Sequence, residues 1–224
     1  LGFISLCDAV FYISNTLNTM DKMDKWNGHL YNWYDTKNLD VLNPAFISTV
    51  DSGNLAVCMV CAAGILANEG KAYENDSKGV LQKRLDGIKA LVDIINEESS
   101  AGETISPYLP KNFNGTDVSE WKSVLENCIE FCKKYNDENN SEYKNIYMWI
   151  KRLNSTCETF LDEIKKHSSG CILCHTYQIE NRLNDFAYKM DFATLYDRKK
   201  GCFSTGYIIG DNRIANSYYD VAVS

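Results

Sequence analysis

The stretch that most constrains the fold is residues 28–54, because it interrupts helical sequence without being helical itself. Residues 29–34 alternate in the manner of a short strand, and residues 35–38 carry the Asx side chains of a turn. The next four residues can return as the partner strand. Residues 46–50 then run extended until helical periodicity resumes. We therefore expect a hairpin that leads into the start of a helix.

The side chains of this stretch suit a carbohydrate ligand. Rings such as those of Trp33 and Tyr34 can stack on the apolar faces of sugars. Polar groups at Asp35, Asp51 or Asn54 can form bidentate hydrogen bonds with sugar hydroxyls. Binding residues are often found on such loops. The alternative is a plain surface hairpin, followed by a helix that Asp51 caps.

Charge and composition limit the classes of partner. The chain has 23 Lys and Arg against 30 Asp and Glu, a formal net charge of −7, and no basic stripe, so no nucleic-acid partner is expected. Nine cysteines, an odd number, lie mainly at apolar helical positions, which favours small buried side chains in a reducing compartment. No signal peptide is expected. The most apolar run, residues 55–67, is shorter than the roughly 20 residues of a membrane span.

Helical periodicity covers most of the remaining chain. We expect helices over residues 1–25, from 51 or 52 to about 68, 77–96, from 117 or 119 to about 135, 141–168 and 171–192. Strand character returns over residues 195–214, before a new helix that begins at Tyr218 with Asn216 or Ser217 as its cap. This order predicts a mainly α fold, a partial α/α toroid with short β-hairpins in the loops.

Two cysteine motifs resemble cofactor sites. The Cys58-x-x-Cys61 pair lacks a second pair of ligands nearby, so we expect both side chains in a helical core. The run from Cys171 to His175 matches the c-type haem attachment pattern, but an export signal and an obvious second axial ligand are missing. His29 is expected to form hydrogen bonds within the hairpin. We therefore predict no cofactor and no metal. An all-α cytochrome stays an alternative, which the absence of a Soret band would exclude.

Two blocks of this sequence resemble one protein family. The blocks are HLYNWYDTKNLDVLNPAFISTVDSGNLA, residues 29–56, and MDFATLYDRKKGCFSTGYIIGDNRIANSYYDVAVS, residues 190–224. In order and approximate spacing they resemble segments of the glycoamylase-like domain of cyclic β-1,2-glucan synthases, which lies between a glycosyltransferase region and a phosphorylase-like region. Residues 69–189 resemble that domain only in their helical character.

The resemblance implies an (α/α)₆ toroid whose loops at one end bind β-1,2-glucan. It implies transglycosylation, which cyclises or disproportionates glucan chains with two carboxylates. In the family, the second block continues into a Glu that looks like the general acid, and another catalytic Glu follows later. Both would fall beyond Ser224. Residues 1–224 would then form a single domain, the N-terminal part of a truncated toroid, without a catalytic residue and inactive alone.

The resemblance also implies partners and a location. The other partners would be the glycosyltransferase and phosphorylase-like regions of the same polypeptide, and the chain would be a soluble cytoplasmic domain of an inner-membrane protein. One alternative is a free-standing β-1,2-glucan hydrolase with the same fold, which only its products would distinguish. Another is a non-catalytic sugar-binding or scaffold domain.

The predicted sugar contacts come from both blocks, and we expect them to converge at one mouth of the helical bundle. They are Trp33, Tyr34, Asp35, Asp51, Ser52, Asn54, Tyr218, Tyr219 and Asp220. Asp220 is the preferred functional carboxylate, because it lies one helical turn before the expected Glu. Structural roles compete with these assignments. Asp51 can be an N-cap worth about 1 kcal/mol, and Tyr218 can be a core residue.

Overall fold

The computed structural model describes residues 4–75, 77–98, 118–135, 146–166 and 171–218, and these residues are mainly helical. The helices are α1 Leu6–Lys22, α2 Thr49–Asn75, α3 Ser77–Glu98, α4 Val118–Tyr135, α5 Tyr147–Lys166 and α6 Cys171–Tyr188. The strands are β1 Lys25–Trp26, β2 His29–Leu30, β3 Phe46–Ser48, β4 Tyr196–Asp197, β5 Cys202–Phe203, β6 Gly206–Ile208 and β7 Arg213–Ile214, and a 3₁₀ helix covers Phe192–Leu195. The prediction of a mainly α chain is confirmed.

The chain divides into two compact units, each built from two stretches of sequence. The first unit consists of Leu1–Val10 and Glu69–Cys174, and the second of Phe11–Asn68 and His175–Ser224. The expectation that residues 1–224 form a single domain stays a prediction.

The core of the first unit comes from the apolar faces of α3, α4 and α5. Apolar residues recur every three or four positions in these helices, which gives each of them one apolar stripe. Leu125 and Cys128 of α4 pack in the same buried cluster as Ile150, Leu153 and Cys157 of α5, and all five are fully buried. The cysteines of α4 and α5 thus serve as small core residues, as predicted.

A buried carboxylate holds the start of α1 in the first unit. Glu163 of α5 is only 1% exposed, and its Oε1 accepts the backbone N–H of Cys7 at 3.2 Å. Its Oε2 lies 3.7 Å from Nε of Arg84 in α3. Burial raises the pKa of Glu163, while the Arg84 charge and the backbone hydrogen bonds oppose that rise. Because a helix N-terminus carries partial positive charge, the carboxylate stabilises the first turn of α1.

The bounds of α2 differ from the expected ones at both ends. The helix begins at Thr49, and Oγ of Ser48 accepts the N–H of Asp51 at 3.3 Å. Ser48 is therefore the N-cap, and the assignment of that role to Asp51 or Ser52 is wrong. The helix also continues past the predicted stop at Gly70 as far as Asn75. Gly70 is buried within the helix and does not end it.

Much of the apolar surface of α2 is exposed. Its buried residues, among them Ser52, Met59 and Leu66, recur at helical spacing and form one stripe. Cys58 and Cys61 lie away from that stripe and are exposed. The prediction that both cysteines are buried is wrong, because local sequence does not specify which faces of an apolar helix are covered.

The same helix bears on the question of a membrane span. By length and composition alone, Thr49–Ala72 could cross a bilayer; its most apolar 18-residue stretch has a mean hydropathy of 1.7, and 22% of that stretch is buried. The sequence-based prediction against a membrane span considers only residues 55–67. The helix extends beyond that run on both sides, so its length no longer argues against a span. A helix in the core of a soluble protein passes the same test of length and composition.

The other predicted helices agree more closely with the structure. α3 and α4 begin and end within about two residues of the expected positions. α1 covers only Leu6–Lys22 of the expected residues 1–25, of which residues 1–3 lie outside the described part of the chain. α6 ends at Tyr188, before the 3₁₀ helix, and not at Phe192. Residues 141–145 and 167–168 of the expected fifth helix lie outside the described residues. The return of strand character over residues 195–214 is confirmed by β4 to β7.

The strands of the second unit form small antiparallel sheets. β3, β6 and β7 lie side by side in the order β3-β6-β7, with Ile47 opposite Tyr207 and Tyr207 opposite Ile214. A Cβ at Gly206 would lie 2.1 Å from the Ile47 carbonyl oxygen, so this strand pair requires glycine there. Trp26 of β1 stacks on Tyr207, with ring centroids 4.2 Å apart. The first and second sequence blocks therefore meet in one sheet.

The predicted first hairpin is only partly correct. Strand structure covers His29–Leu30 and not residues 29–34, and β2 pairs with β1 through a turn in which Asn27 and Gly28 have positive φ. Residues 33–42 form a separate loop, closed by an isolated bridge between Tyr34 and Val41. His29 is fully buried against Phe192, edge to face at 4.9 Å, and packing replaces the hydrogen bonds within the hairpin that we expected for it.

Candidate functional site

The candidate site is a cavity at the junction between β3 and α2. It has a volume of about 200 Å³ and is lined by Leu30, Tyr31, Asn32, Ser48, Asp51, Ser52 and Leu55. The Asn32 N–H donates to the Phe46 carbonyl at 2.9 Å, and this bond holds residues 30–32 beside β3. Because α2 follows β3 directly, its first turn faces the same segment. The local chain path therefore brings the aromatic segment and the helix start together.

The polar groups around this cavity can recognise hydroxyls. The amide of Asn32 can both donate and accept hydrogen bonds, and the carboxylate of Asp51 accepts them. Asp51 is exposed in the first turn of α2. Tyr31 supplies an aromatic ring beside these groups. The cavity is smaller than the roughly 300–1,000 Å³ of drug-sized ligand sites, so it suits one sugar ring of a longer chain.

Three predicted contacts lie on the loop beside the cavity. The hydroxyl of Tyr34 accepts the Tyr31 N–H at 2.8 Å and donates to the Asp24 carbonyl at 2.6 Å, and burial raises the pKa of Tyr34. Oδ1 of Asp35 accepts the Lys37 N–H at 2.7 Å, so this carboxylate forms an Asx turn. Trp33 is 48% exposed, which leaves its ring open for stacking. Tyr34 and Asp35 thus shape the loop, and Trp33 is the member of this set that faces solvent.

Thr205 connects the two sequence blocks at this junction. Its carbonyl accepts the N–H of Thr49, the first residue of α2, at 3.1 Å. Its own N–H donates to the Ser217 carbonyl at 2.9 Å, and the two hydroxyl oxygens lie 2.6 Å apart. Two backbone hydrogen bonds, both formed by Thr205, therefore connect the start of α2 with the segment around Ser217.

Tyr218 is held in an extended segment. It forms an isolated bridge with Ser204, so the prediction that a helix begins at Tyr218 is wrong. Its hydroxyl donates to Oδ2 of Asp197 at 2.9 Å, and Nζ of Lys200 lies 3.6 Å from the centre of its ring. The hydrogen bond from Tyr218 lowers the pKa of Asp197, and the N–H of Lys199 acts in the same direction. The strand pairing of this segment explains why it does not enter a helix at Tyr218.

The predicted contacts therefore separate into groups. Asp51 and Ser52 line the cavity, whereas Asn54 is exposed on α2 outside the lining. Tyr219 and Asp220 lie outside the described residues. Sequence reasoning missed Tyr31 and Asn32, which line the cavity. Both residues directly follow β2 in the first block, and this position could have indicated them. From sequence, Trp33 and Tyr34, which are nearer the turn, are instead the predicted stacking rings.

The described residues offer little for a cofactor. Within the described ranges, no group of three or more His, Cys, Asp and Glu side chains could hold a metal ion. His175 of the haem-like motif is exposed on α6. The side chains of Cys171 and Cys174 lie outside the described part of the chain.

Comparison with known proteins gives one informative similarity. No protein-family model matches the chain. Over its whole length, the chain is similar to the cyclic beta-(1,2)-glucan synthase NdvB of Rhizobium meliloti (strain 1021), at 22% identity over 251 residues. The similarity covers 100% of this chain and 9% of the synthase, so the chain spans about a tenth of its relative. It supports a distant relation between this chain and a region of a cyclic β-1,2-glucan synthase.

Proposed function

We propose that this chain is a carbohydrate-binding part of a larger glucan-processing enzyme, and that the cavity between β3 and α2 binds β-1,2-linked glucan. The observation that carries the proposal is the similarity to a glucan synthase along the whole chain. The geometry adds support, because Thr205 of the second block bonds to Thr49 of the first, the residue that follows Ser48 of the cavity lining.

In this proposal, one sugar ring of the glucan occupies the cavity, and the next rings of the glucan lie across Trp33. A sugar hydroxyl donates to the Asp51 carboxylate, and another bonds with the Asn32 amide. Aromatic rings at Tyr31 and Trp33 contact the apolar faces of the sugar. A hydrogen bond to a charged group contributes about 1.5–3 kcal/mol. Since about 1.4 kcal/mol is tenfold in affinity, loss of the Asp51 charge should weaken binding by roughly 10–100-fold.

The reaction belongs to the larger protein in this proposal. The resemblance to the glycoamylase-like domain suggests transglycosylation that cyclises β-1,2-glucan, with two catalytic carboxylates outside this chain. The helices described here would then contribute to an (α/α)₆ toroid. The role of this chain would be to bind and orient the glucan.

The proposal is tested by calorimetric titration of the chain with a linear β-1,2-linked glucose oligosaccharide. Asp51→Asn should weaken binding by roughly 10–100-fold. The matched control is Asp8→Asn, since the N–H of Asp8 bonds to Oγ of Ser5 at 2.9 Å in the first turn of α1. Both substitutions remove a carboxylate at the third position of a helix with a serine cap, but only Asp51 lines the cavity.

Trp33→Ala should also weaken binding, because it removes the exposed stacking ring. A β-1,3-linked oligosaccharide of the same length serves as the second ligand and tests the linkage. The proposal fails if the wild-type chain does not bind the β-1,2-linked sugar. It fails equally if Asp51→Asn and Asp8→Asn have the same effect on affinity.

A further inference from the structure

A second and larger cavity lies in the second unit, at the side of α1 and α6 and next to the turn between β1 and β2. Its volume is about 350 Å³, within the range of small-molecule sites. Its apolar surface includes Leu17 of α1 and Phe186 of α6, which are 2% and 8% exposed. The polar residues of the lining come from α1 and α6, from Lys25 of β1, and from Lys189 just after α6. None of these residues belongs to the candidate site described above.

The rim of this cavity carries charges in opposite pairs. Nη2 of Arg182 donates to Oδ2 of Asp21 at 2.8 Å and to Oδ1 of Asn18 at 2.9 Å. One turn of α6 further on, Nζ of Lys189 lies 4.0 Å from Oδ2 of Asp185. The guanidinium has five N–H donors and each carboxylate several acceptor positions, so both pairs can form further hydrogen bonds. The rim therefore offers donors and acceptors side by side.

The third cation of the lining, Lys25, already donates its hydrogen bonds to backbone carbonyl groups. Nζ of Lys25 donates to the carbonyls of Met20 at 2.6 Å, Met23 at 2.9 Å and Asp21 at 3.4 Å. An ammonium group has three N–H donors, so these three bonds at the end of α1 use all the donors of Lys25. An anionic ligand would have to compete with the carboxylates and carbonyls that now neutralise the cations. A neutral ligand with hydroxyls can instead bridge the members of a pair.

Backbone contact fixes the edge of the cavity. Gly28 has a φ of +83°, and a Cβ at this position would lie 2.1 Å from the Lys189 carbonyl oxygen. The turn between β1 and β2 therefore contacts the end of α6 directly. A rim held in this way loses little freedom when a ligand binds, which favours affinity.

From these features we infer that the cavity is a second carbohydrate subsite, and that it takes a neutral oligosaccharide. The sugar ring contacts the small exposed part of Phe186, whose ring centre also lies 5.4 Å from Nζ of Lys25, while its hydroxyls bridge Arg182 and Asp21. The choice of a glucan as ligand rests on the proposed function, whereas the preference for a neutral polyhydroxyl compound rests on the paired charges alone. Two subsites in one unit would hold a long chain at two points.

The test is a calorimetric and NMR titration of the whole chain with the linear β-1,2-linked glucose oligosaccharide. Arg182→Gln should weaken one binding event at least tenfold and leave the Asp51-dependent event unchanged. The matched control is Arg213→Gln, because Nη2 of Arg213 forms a similar exposed ion pair with Asp211 at 2.9 Å, away from both cavities. Asp21→Asn is a second variant, which keeps the shape of the side chain if Arg182→Gln fails to fold.

Each outcome decides between the two assignments. Binding that depends on Arg182 but not on Asp51 supports the second subsite and contradicts the proposed role of the first cavity. Binding that depends on Asp51 alone, with Arg182→Gln equal to Arg213→Gln, overturns the second subsite. Inorganic phosphate is the other probe. If phosphate binds with the same dependence on Arg182 and displaces the sugar, the cavity is an anion site and the inference is wrong.

Discussion

Replacement of Gly206 by alanine should separate β3 from β6. An alanine Cβ would lie 2.1 Å from the Ile47 carbonyl oxygen and 2.3 Å from Cζ of Phe46. Real Cβ atoms essentially never approach other atoms within 3.0 Å, so the strands must move apart by at least 0.9 Å, the difference between 3.0 and 2.1 Å. The Phe46 ring can turn aside, but the contact with Ile47 is with backbone. The strand pair has to open.

That movement would break neighbouring hydrogen bonds. The bonds from the Thr49 N–H to Thr205 and from the Ile209 N–H to Ala45 are both 3.1 Å long, and 0.9 Å more gives about 4.0 Å, beyond bonding distance. Each contributes about 0.5–1.5 kcal/mol net, so the two together lose about 1–3 kcal/mol. The reduced freedom of alanine in the unfolded chain returns about 0.4–1 kcal/mol. With the middle of each range, about 2 kcal/mol lost and about 0.7 kcal/mol returned, the expected net loss is about 1–2 kcal/mol.

Amide hydrogen exchange of the β3 segment is the suitable assay, because two compact units need not unfold together. A loss of about 1–2 kcal/mol should accelerate exchange by a factor of roughly 5–30. The control is Gly64→Ala in α2, where a Cβ meets nothing within 4 Å. Alanine in a helix interior should stabilise the chain by roughly 0.5–1 kcal/mol. If Gly206→Ala leaves exchange unchanged or slows it as the control does, the steric reasoning is refuted.

Three further predictions concern titration and reactivity. Burial lowers the pKa of His29, although the Asp191 backbone and charge act in the opposite direction. As pH falls, His29 is therefore protonated more readily in the unfolded chain than in the folded one. The folded chain should lose stability as pH falls below about 6.5. Melting temperatures from pH 5 to 8 should show a weaker acid dependence in His29→Leu, and equal dependence would contradict this. Maleimide should label the exposed Cys58 and Cys61 rapidly in the folded chain, while the buried thiols of α4 and α5 react only on unfolding, as peptide mass spectrometry can measure. Tyr218→Phe removes the hydrogen bond that most lowers the pKa of Asp197, so an NMR titration should show that pKa rising, and an unchanged value would refute the assignment.

The helices of the first unit could be predicted well from sequence. Leu85, Ile88 and Leu91 of α3 recur at helical spacing, and the same is true of Trp121, Leu125 and Cys128 in α4. Each of these side chains is buried in the structure. Regular spacing is sufficient there because one face of each helix packs and the other faces solvent.

The hairpins and the ends of α2 were harder to predict, although some signals were present. An Asn-Gly pair at residues 27–28 is typical of a tight hairpin turn and pairs His29 with Trp26. Ser48 and Asp51 have the spacing of a capping box, which places the helix start before Asp51. The end of α2 had no such signal. A glycine near a helix end and a buried glycine within a helix look alike in sequence, and Gly70 is the second kind.

The candidate site could be located but not assembled from sequence. Asp51 is predicted from its position at a helix start and Ser52 from the resemblance of its segment, and both line the cavity. Tyr31 and Asn32 reach it because Asn32 bonds to the Phe46 carbonyl, a pairing that depends on the path of the whole loop. Long-range pairing of this kind leaves no local pattern in the residues that form it.

The position of Thr205 has a consequence for how such a chain can diverge. Thr205 lies in the second block; its carbonyl accepts the N–H of Thr49 in the first block, and its own N–H bonds to Ser217 further along the second, so a backbone shift at this junction disturbs both blocks. Substitutions in the two stretches must therefore compensate each other, while the intervening helices need only keep an apolar face. Over evolutionary time we expect the two stretches to change slowly and in concert.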